Sequence, residues 1–251
     1  MPSLKDLVDF CDLRTKRMEV SDFPGAFNGL QLANDGSVSK IGASVDAGLE
    51  PFLGAVEANV DFLIVHHGLF WNPPIPLTGT AYQKIKLCLE GNLSLYGSHL
   101  PLDMHPEIGN NAILAKKLAL EPEGTFLDYE GMDIGLLAKC SLARDELKER
   151  IAKLFPVGFH AMEFGSKKPE RIAILTGSGS SAVQKILDAG SDTFITGELK
   201  QQHYNLAQEL NLNLYACGHY ATETYGVDAL AREAAQKFGI PYQFIETGCP
   251  L

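Results

Sequence analysis

No CxxC pair occurs in the chain, and its five cysteines, Cys11, Cys88, Cys140, Cys217 and Cys249, are odd in number and widely spread. That pattern excludes a disulfide framework and a zinc–thiolate site, and it leaves small, mostly buried apolar residues. No apolar run approaches the roughly 18 residues that a bilayer crossing takes. Lysine and arginine form no cluster, and the formal net charge is −10. Duplex nucleic acid and anionic membrane surfaces are therefore poor partners. A nucleotide substrate stays open if cations supply positive charge locally. There is no GK[ST] phosphate loop, no GxGxxG and no serine-hydrolase elbow. The first twenty residues read as an amphipathic helix and lack the basic start and apolar centre of a secretory signal, so a cytoplasmic location is expected.

What the chain does have is the composition of an ordinary globular protein: 251 residues, 45% hydrophobic and 21% charged. Short β-branched runs alternate with segments of helical period, the mark of an α/β fold. Strands are expected at 40–47, 61–67, 93–99, 133–140, 171–178, 192–198, 212–219 and 241–246, with helices between them.

The runs repeat. KIGASVDAG (40–48) and DFLIVHHG (61–68) have counterparts at one constant offset in RIAILTGSG (171–179) and DTFITGEL (192–199). Further on, LSLYGSHLPLD (93–103) matches LNLYACGHYATE (212–223), each with Leu-Tyr, a histidine and an acid four positions later. Two similar α/β halves, 1–125 and 126–251, with helices packed around mixed sheets, are the expected fold. The acid- and glycine-rich stretch 121–132 reads as the linker between them. Such halves would pack about a pseudo-twofold axis, with a site on it drawing ligands from both.

Donor atoms collect at the C-terminal ends of three predicted strands: His66 and His67, His99 with Asp103, and His219 with Glu223. That edge is where α/β sheets place their sites. Imidazole with carboxylate and no thiolate suits zinc, iron, manganese, cobalt or nickel rather than calcium or magnesium. Five or six such donors exceed what one catalytic zinc takes, which points to two ions sharing a carboxylate, Glu223 or Asp103, and a water. A water so held is a nucleophile near neutral pH, and the chemistry would be hydrolysis.

His99 is either a ligand or a residue that orients one. Adjacent residues on a strand point to opposite faces, so His66 and His67 serve one site only if they reach different ions or the strand ends there. Glu198 holds the position in the second repeat that His67 holds in the first. It is a candidate acid/base or orienting group, or simply a charge at a helix start. His105, His160 and His203 join no cluster and read as surface or supporting residues. LTGSGSSAVQ (175–184) is a weak phosphate cradle, with helix capping by Ser178, Ser180 or Ser181 as its plainer reading; no phosphate-binding residue is assigned.

These residues resemble the Nif-three-like dinuclear-metal proteins, also named GTP cyclohydrolase 1 type 2 homologues, along nearly the whole chain. The matching segments are FNGLQL (27–32), FLIVHHGLFW (62–71), GSHLPLD (97–103), GNNAILA (109–115), TGE (196–198) and GHYATE (218–223). No long insertion separates the halves, as in the short, bacterial-type members. The resemblance implies a two-domain α/β fold and a ring-shaped homohexamer with its metal sites facing an internal cavity. It places two metal ions on His66, His67, Asp103, His219 and Glu223, with His99 and Glu198 lining the same cleft. The tail ETGCPL and the segment LKQQHYN depart from the family's usual pattern, which bears on substrate details and not on the metal ligands.

The activity that goes with the resemblance is hydrolytic opening of a purine nucleotide ring, that of GTP, with loss of formate. Two rival readings remain at this point. One is a metal-binding chaperone or regulator without turnover; the other is a metal-dependent phosphoesterase.

Overall fold

The computed structural model describes residues 1–70 and 76–251. It divides into two compact units, Met1–Leu102 with Gly226–Gly248, and Asp103–Tyr225 with Cys249–Leu251. The division differs from a boundary at 125/126: Asp103 counts with His219 and Glu223, and the segment 226–248 counts with the N-terminal part.

In the first unit, α1 (Leu4–Thr15) opens on a reciprocal cap, Ser3 Oγ accepting from Asp6 N while Asp6 Oδ2 accepts from Ser3 N. The sheet then forms from β1 (Gly29–Leu32), β2 (Ile41–Asp46), β3 (Phe62–His67) and β4 (Ser94–Gly97). Helices α2 (Leu49–Glu57) and α3 (Gly79–Glu90) connect the parallel strands. The order is β1-β4-β3-β2. Phe62 pairs with Ile41 on one side and Ser94 on the other. Strands buried on both faces read as continuous apolar runs, and FLIV of β3 is such a run, every residue of it buried. Phe52, Leu63, Val65, Leu95 and Ile245 form part of the core beneath it. A single helical turn, α4 (Leu100–Asp103), follows β4.

The second unit contains α5 (Asn110–Lys117), β5 (Glu121–Tyr129), β6 (Met132–Lys139), α6 (Arg144–Leu154), β7 (His160–Glu163) and β8 (Arg171–Ser178). Next come α7 (Lys185–Asp188), β9 (Thr193–Glu198), α8 (His203–Leu210) and β10 (Asn213–Ala216). The last helix, α9 (His219–Phe238), leads to β11 (Tyr242–Phe244), which joins β2 of the first sheet in parallel.

The second sheet runs β5-β6-β8-β9-β10-β7. Its parallel trio β8-β9-β10 is registered Ile172–Thr193–Asn213, and β7 lies antiparallel on β10 as β1 does on β4. Four strands of each sheet thus follow one plan, the repeat visible in the sequence.

Two expectations change. The 121–132 stretch is not a linker but most of the β5–β6 hairpin. Its acids sit on an edge strand where only Phe126 of β5 is buried, and an edge strand with two wet faces takes polar residues readily. The serines of 175–184 cap no helix: α7 begins only at Lys185, and its N-cap residue is Gln184, whose side chain makes no cap bond.

Candidate metal centre

Three histidines converge at the carboxyl ends of β3 and β4. The His66 and His67 rings lie 4.8 Å apart, and His99 lies 4.9 Å from His66 and 5.8 Å from His67. One ring nitrogen from each falls within 4.8 Å of the others. Strand alternation would aim His66 and His67 apart. At the last rung of β3 they instead share one cluster.

Each imidazole is held by its Nδ1. His66 Nδ1–H donates to the Ser98 carbonyl at 3.0 Å, His67 to Asp46 Oδ1 at 2.8 Å and His99 to Asp22 Oδ1 at 2.8 Å. An acceptor on Nδ1 fixes the proton there and leaves the lone pair on Nε2. That arrangement is the one outer partners impose on metal-binding imidazoles.

Asp22 is itself tightly held, accepting from Asn28 Nδ2, Phe23 N and Leu100 N as well. Burial pushes its carboxyl up, but the bond and charge of His99 with the Asn28 and Phe23 bonds outweigh this and hold it below the ordinary value. Asn28 Oδ1 also receives the His99 backbone N–H at 2.7 Å.

Behind the cluster stands Gln31. It accepts from Leu69 N at 2.7 Å and donates to the Phe27 carbonyl at 2.6 Å. A Cβ on Gly68 would come within 2.0 Å of Gln31 Nε2, and one on Gly97 within 2.6 Å. At both positions a methyl would have to displace the Gln31 amide, and neither needs a left-handed backbone.

The second unit brings together His219, Glu223, Glu198 and Asp103 with its supports. His219 and Glu223 stand one turn apart on α9, with His219 Nε2 3.2 Å from Glu223 Oε1 and its Nδ1 3.6 Å from Glu198 Oε1. The Glu223 hydrogen bond, against partial burial, raises the His219 pKa, with help from both carboxylate charges. Glu223 is buried, 2% exposed. Gly177 makes room for it: its φ is +66°, and a Cβ there would lie 2.2 Å from Glu223 Oε1. Asp103, also buried, accepts from Asn110 Nδ2 at 2.7 Å and Thr176 Oγ1 at 3.3 Å. Imidazole with carboxylate is a donor set for a borderline divalent transition metal, and these residues could hold such an ion.

The sequence profile of the Duf34/NIF3 (NGG1p interacting factor 3) family matches residues 7–250. This chain belongs to the Duf34/NIF3 family. It is 37% identical over 245 residues to the GTP cyclohydrolase 1 type 2 homolog of Archaeoglobus fulgidus, covering 97% of this chain and 98% of that one. With the protein of the same name from Deinococcus radiodurans the identity is 38% over 224 residues, 88% of this chain and 84% of the relative. Among solved structures, TTHA1606 from Thermus thermophilus superposes with a TM-score of 0.88 at 34% identity, covering 99% of this chain and all of that one.

In this Duf34/NIF3 protein the remaining histidines stand apart from the clusters. His105 and His203 are buried, and each Nδ1 accepts turn backbone: Glu107 N and Ile108 N for the first, Lys200 N for the second. His160 is exposed on β7. Trp71, the end of the FLIVHHGLFW segment, lies outside the described residues. Sequence reasoning passed over Asp22, Asp46, Gln31, Asn110 and Thr176. Gln31 belongs to FNGLQL and Asn110 to GNNAILA, so these motifs were the signal for two of the supports.

Proposed function

We propose that this protein is a dinuclear-metal hydrolase acting on a purine nucleotide ring, with His66, His67, Asp103, His219 and Glu223 holding two divalent transition-metal ions. The observation that carries the reading is the common tautomer of three clustered histidines, each Nδ1 engaged by an oxygen and each Nε2 left as the basic nitrogen. Proteins named GTP cyclohydrolase 1 type 2 homolog among its relatives supply the reaction class.

Such ions, when bound, supply Lewis acidity and lower the pKa of water. The chain's own residues do the rest. Asp46, Asp22 and the Ser98 carbonyl fix the ring orientations of the three histidines. Asn110 and Thr176 hold Asp103. Glu198 sits on the Nδ1 side of His219, where it orients that ring, and this placement favours orientation over proton transfer as its role. The reading includes self-association into a homohexamer in the cytoplasm.

Metal-replete protein incubated with GTP should release formate, and Glu223→Ala should abolish that release. Metal-replete protein that releases none, yet passes its metal to an acceptor apoenzyme, would replace hydrolysis with metal delivery. Turnover of phosphoesters in place of formate release would make it a phosphoesterase.

A further inference from the structure

A cavity of about 520 Å³ in the second unit has no part in the metal chemistry above. It lies among the loops that follow β8 and β9, and its walls include Ser180, Gln184, Gln202, His203, Asn205 and Glu209. The two loops are tied together where Gly179 N–H donates to the Glu198 carbonyl at 3.2 Å. The carboxyl ends of parallel strands are where α/β sheets take their ligands, and the volume is that of a small-molecule pocket.

Two polar groups in this wall go unanswered by the protein. Ser180 Oγ is shut off from solvent and has no hydrogen-bond partner among the described residues. Buried polar groups of this kind are uncommon and ask for a reason. His203 is 4% exposed, and its Nδ1 accepts from Lys200 N at 2.9 Å. The proton must then sit on Nε2, and that N–H has no other hydrogen bond among the described residues. Ser180 and His203 both line the cavity.

We propose that this cavity is a binding site for a neutral heterocycle bearing an amide-type carbonyl. The carbonyl oxygen takes the His203 Nε2–H and the Ser180 hydroxyl, while the side-chain amides of Gln184, Gln202 and Asn205 answer the ring's other donors and acceptors. No lysine or arginine lines the cavity among the described residues, and Glu209 stands at its wall, so an anion is disfavoured. The site is independent of the metal reading, since binding alone defines it and failure here leaves hydrolysis untouched.

Calorimetric titration of the zinc-loaded full chain with uridine, guanosine, adenosine and inorganic phosphate tests it. Uridine and guanosine should give saturable heats, adenosine should bind at least about tenfold more weakly, a loss of one well-made hydrogen bond, and phosphate should leave the uridine isotherm unchanged. Ser180→Ala should weaken uridine about fivefold or more while leaving the melting temperature unchanged or higher, because it removes an unanswered buried hydroxyl. His203→Asn keeps an acceptor for Lys200 N and loses the Nε2–H, and it should weaken uridine likewise. No saturable binding of either carbonyl-bearing nucleoside, equal binding of adenosine, competition of phosphate with uridine, or wild-type uridine affinity in Ser180→Ala would overturn the proposal.

Discussion

His67 and Asp46 face each other at the last rung of the β2–β3 ladder, and the imidazole Nδ1 donates to the carboxylate at 2.8 Å. Neighbouring strands therefore supply a proposed ligand and the carboxylate that holds it from one register position. Asp46→Ala should lower zinc affinity about 10- to 100-fold, the usual effect of losing an outer partner. Asp46 is half exposed, so the change in unfolding free energy should stay within about 1 kcal/mol. Competition titration against a chelator and urea unfolding measure the two; unchanged affinity would remove Asp46 from the site.

Gln31 and the two glycines it packs between make a second test. Gly68→Ala places a methyl on a side chain that is pinned by bonds to Leu69 N and the Phe27 carbonyl. Overpacking of this sort costs about 1–3 kcal/mol. In Gln31→Ala the obstacle is gone, so the double variant should be more stable than the two single losses added together. Additive losses in urea unfolding would show that the contact does not govern the position of the His67–Gly68 corner.

Gly177 carries both a conformational and a spatial demand, with φ at +66° and Glu223 Oε1 in the path of any Cβ. Gly177→Ala should cost about 1–3 kcal/mol and displace Glu223, and the metal-binding stoichiometry should fall below that of the wild type. Retained stoichiometry by elemental analysis would contradict that requirement.

Glu163 gives the pH dependence. Partial burial pushes its carboxyl up, but bonds from Lys148 and Tyr215 and the charges of Lys148 and Arg144 outweigh it and hold it below the ordinary value. A depressed folded pKa contributes stability above the unfolded value, about 4.3 for glutamate, and that contribution is lost as pH falls through the folded one. Glu163→Gln should therefore cost about 1 kcal/mol at pH 7, and the gap to wild type should narrow toward pH 3. Urea midpoints at the two pH values decide it; a gap that widens in acid would reverse the sign.

The sequence made the parallel strands plain because a strand covered on both faces must be apolar throughout, and FLIV (62–65) and IAIL (172–175) are. The repeated placement of histidine and acid after the third strand of each trio was equally readable, and helix α9 begins at His219 where a helical turn lets residues four apart meet. Of the edge strands, β11 was expected at 241–246, and the other three were not legible. β1, β5 and β7 bury few residues and carry no clean alternation. The supports Asp22 and Asp46 were missed for a different reason: a carboxylate that will bond an imidazole Nδ1 looks in sequence like any solvated acid until the fold brings it there.

Metal content tests the central claim most directly. Purified protein loaded with zinc or manganese and freed of excess should retain two transition-metal equivalents per chain by inductively coupled plasma mass spectrometry, with fewer in His67→Ala and in Glu223→Ala. Protein that retains none, with both variants indistinguishable from it, would contradict the dinuclear reading.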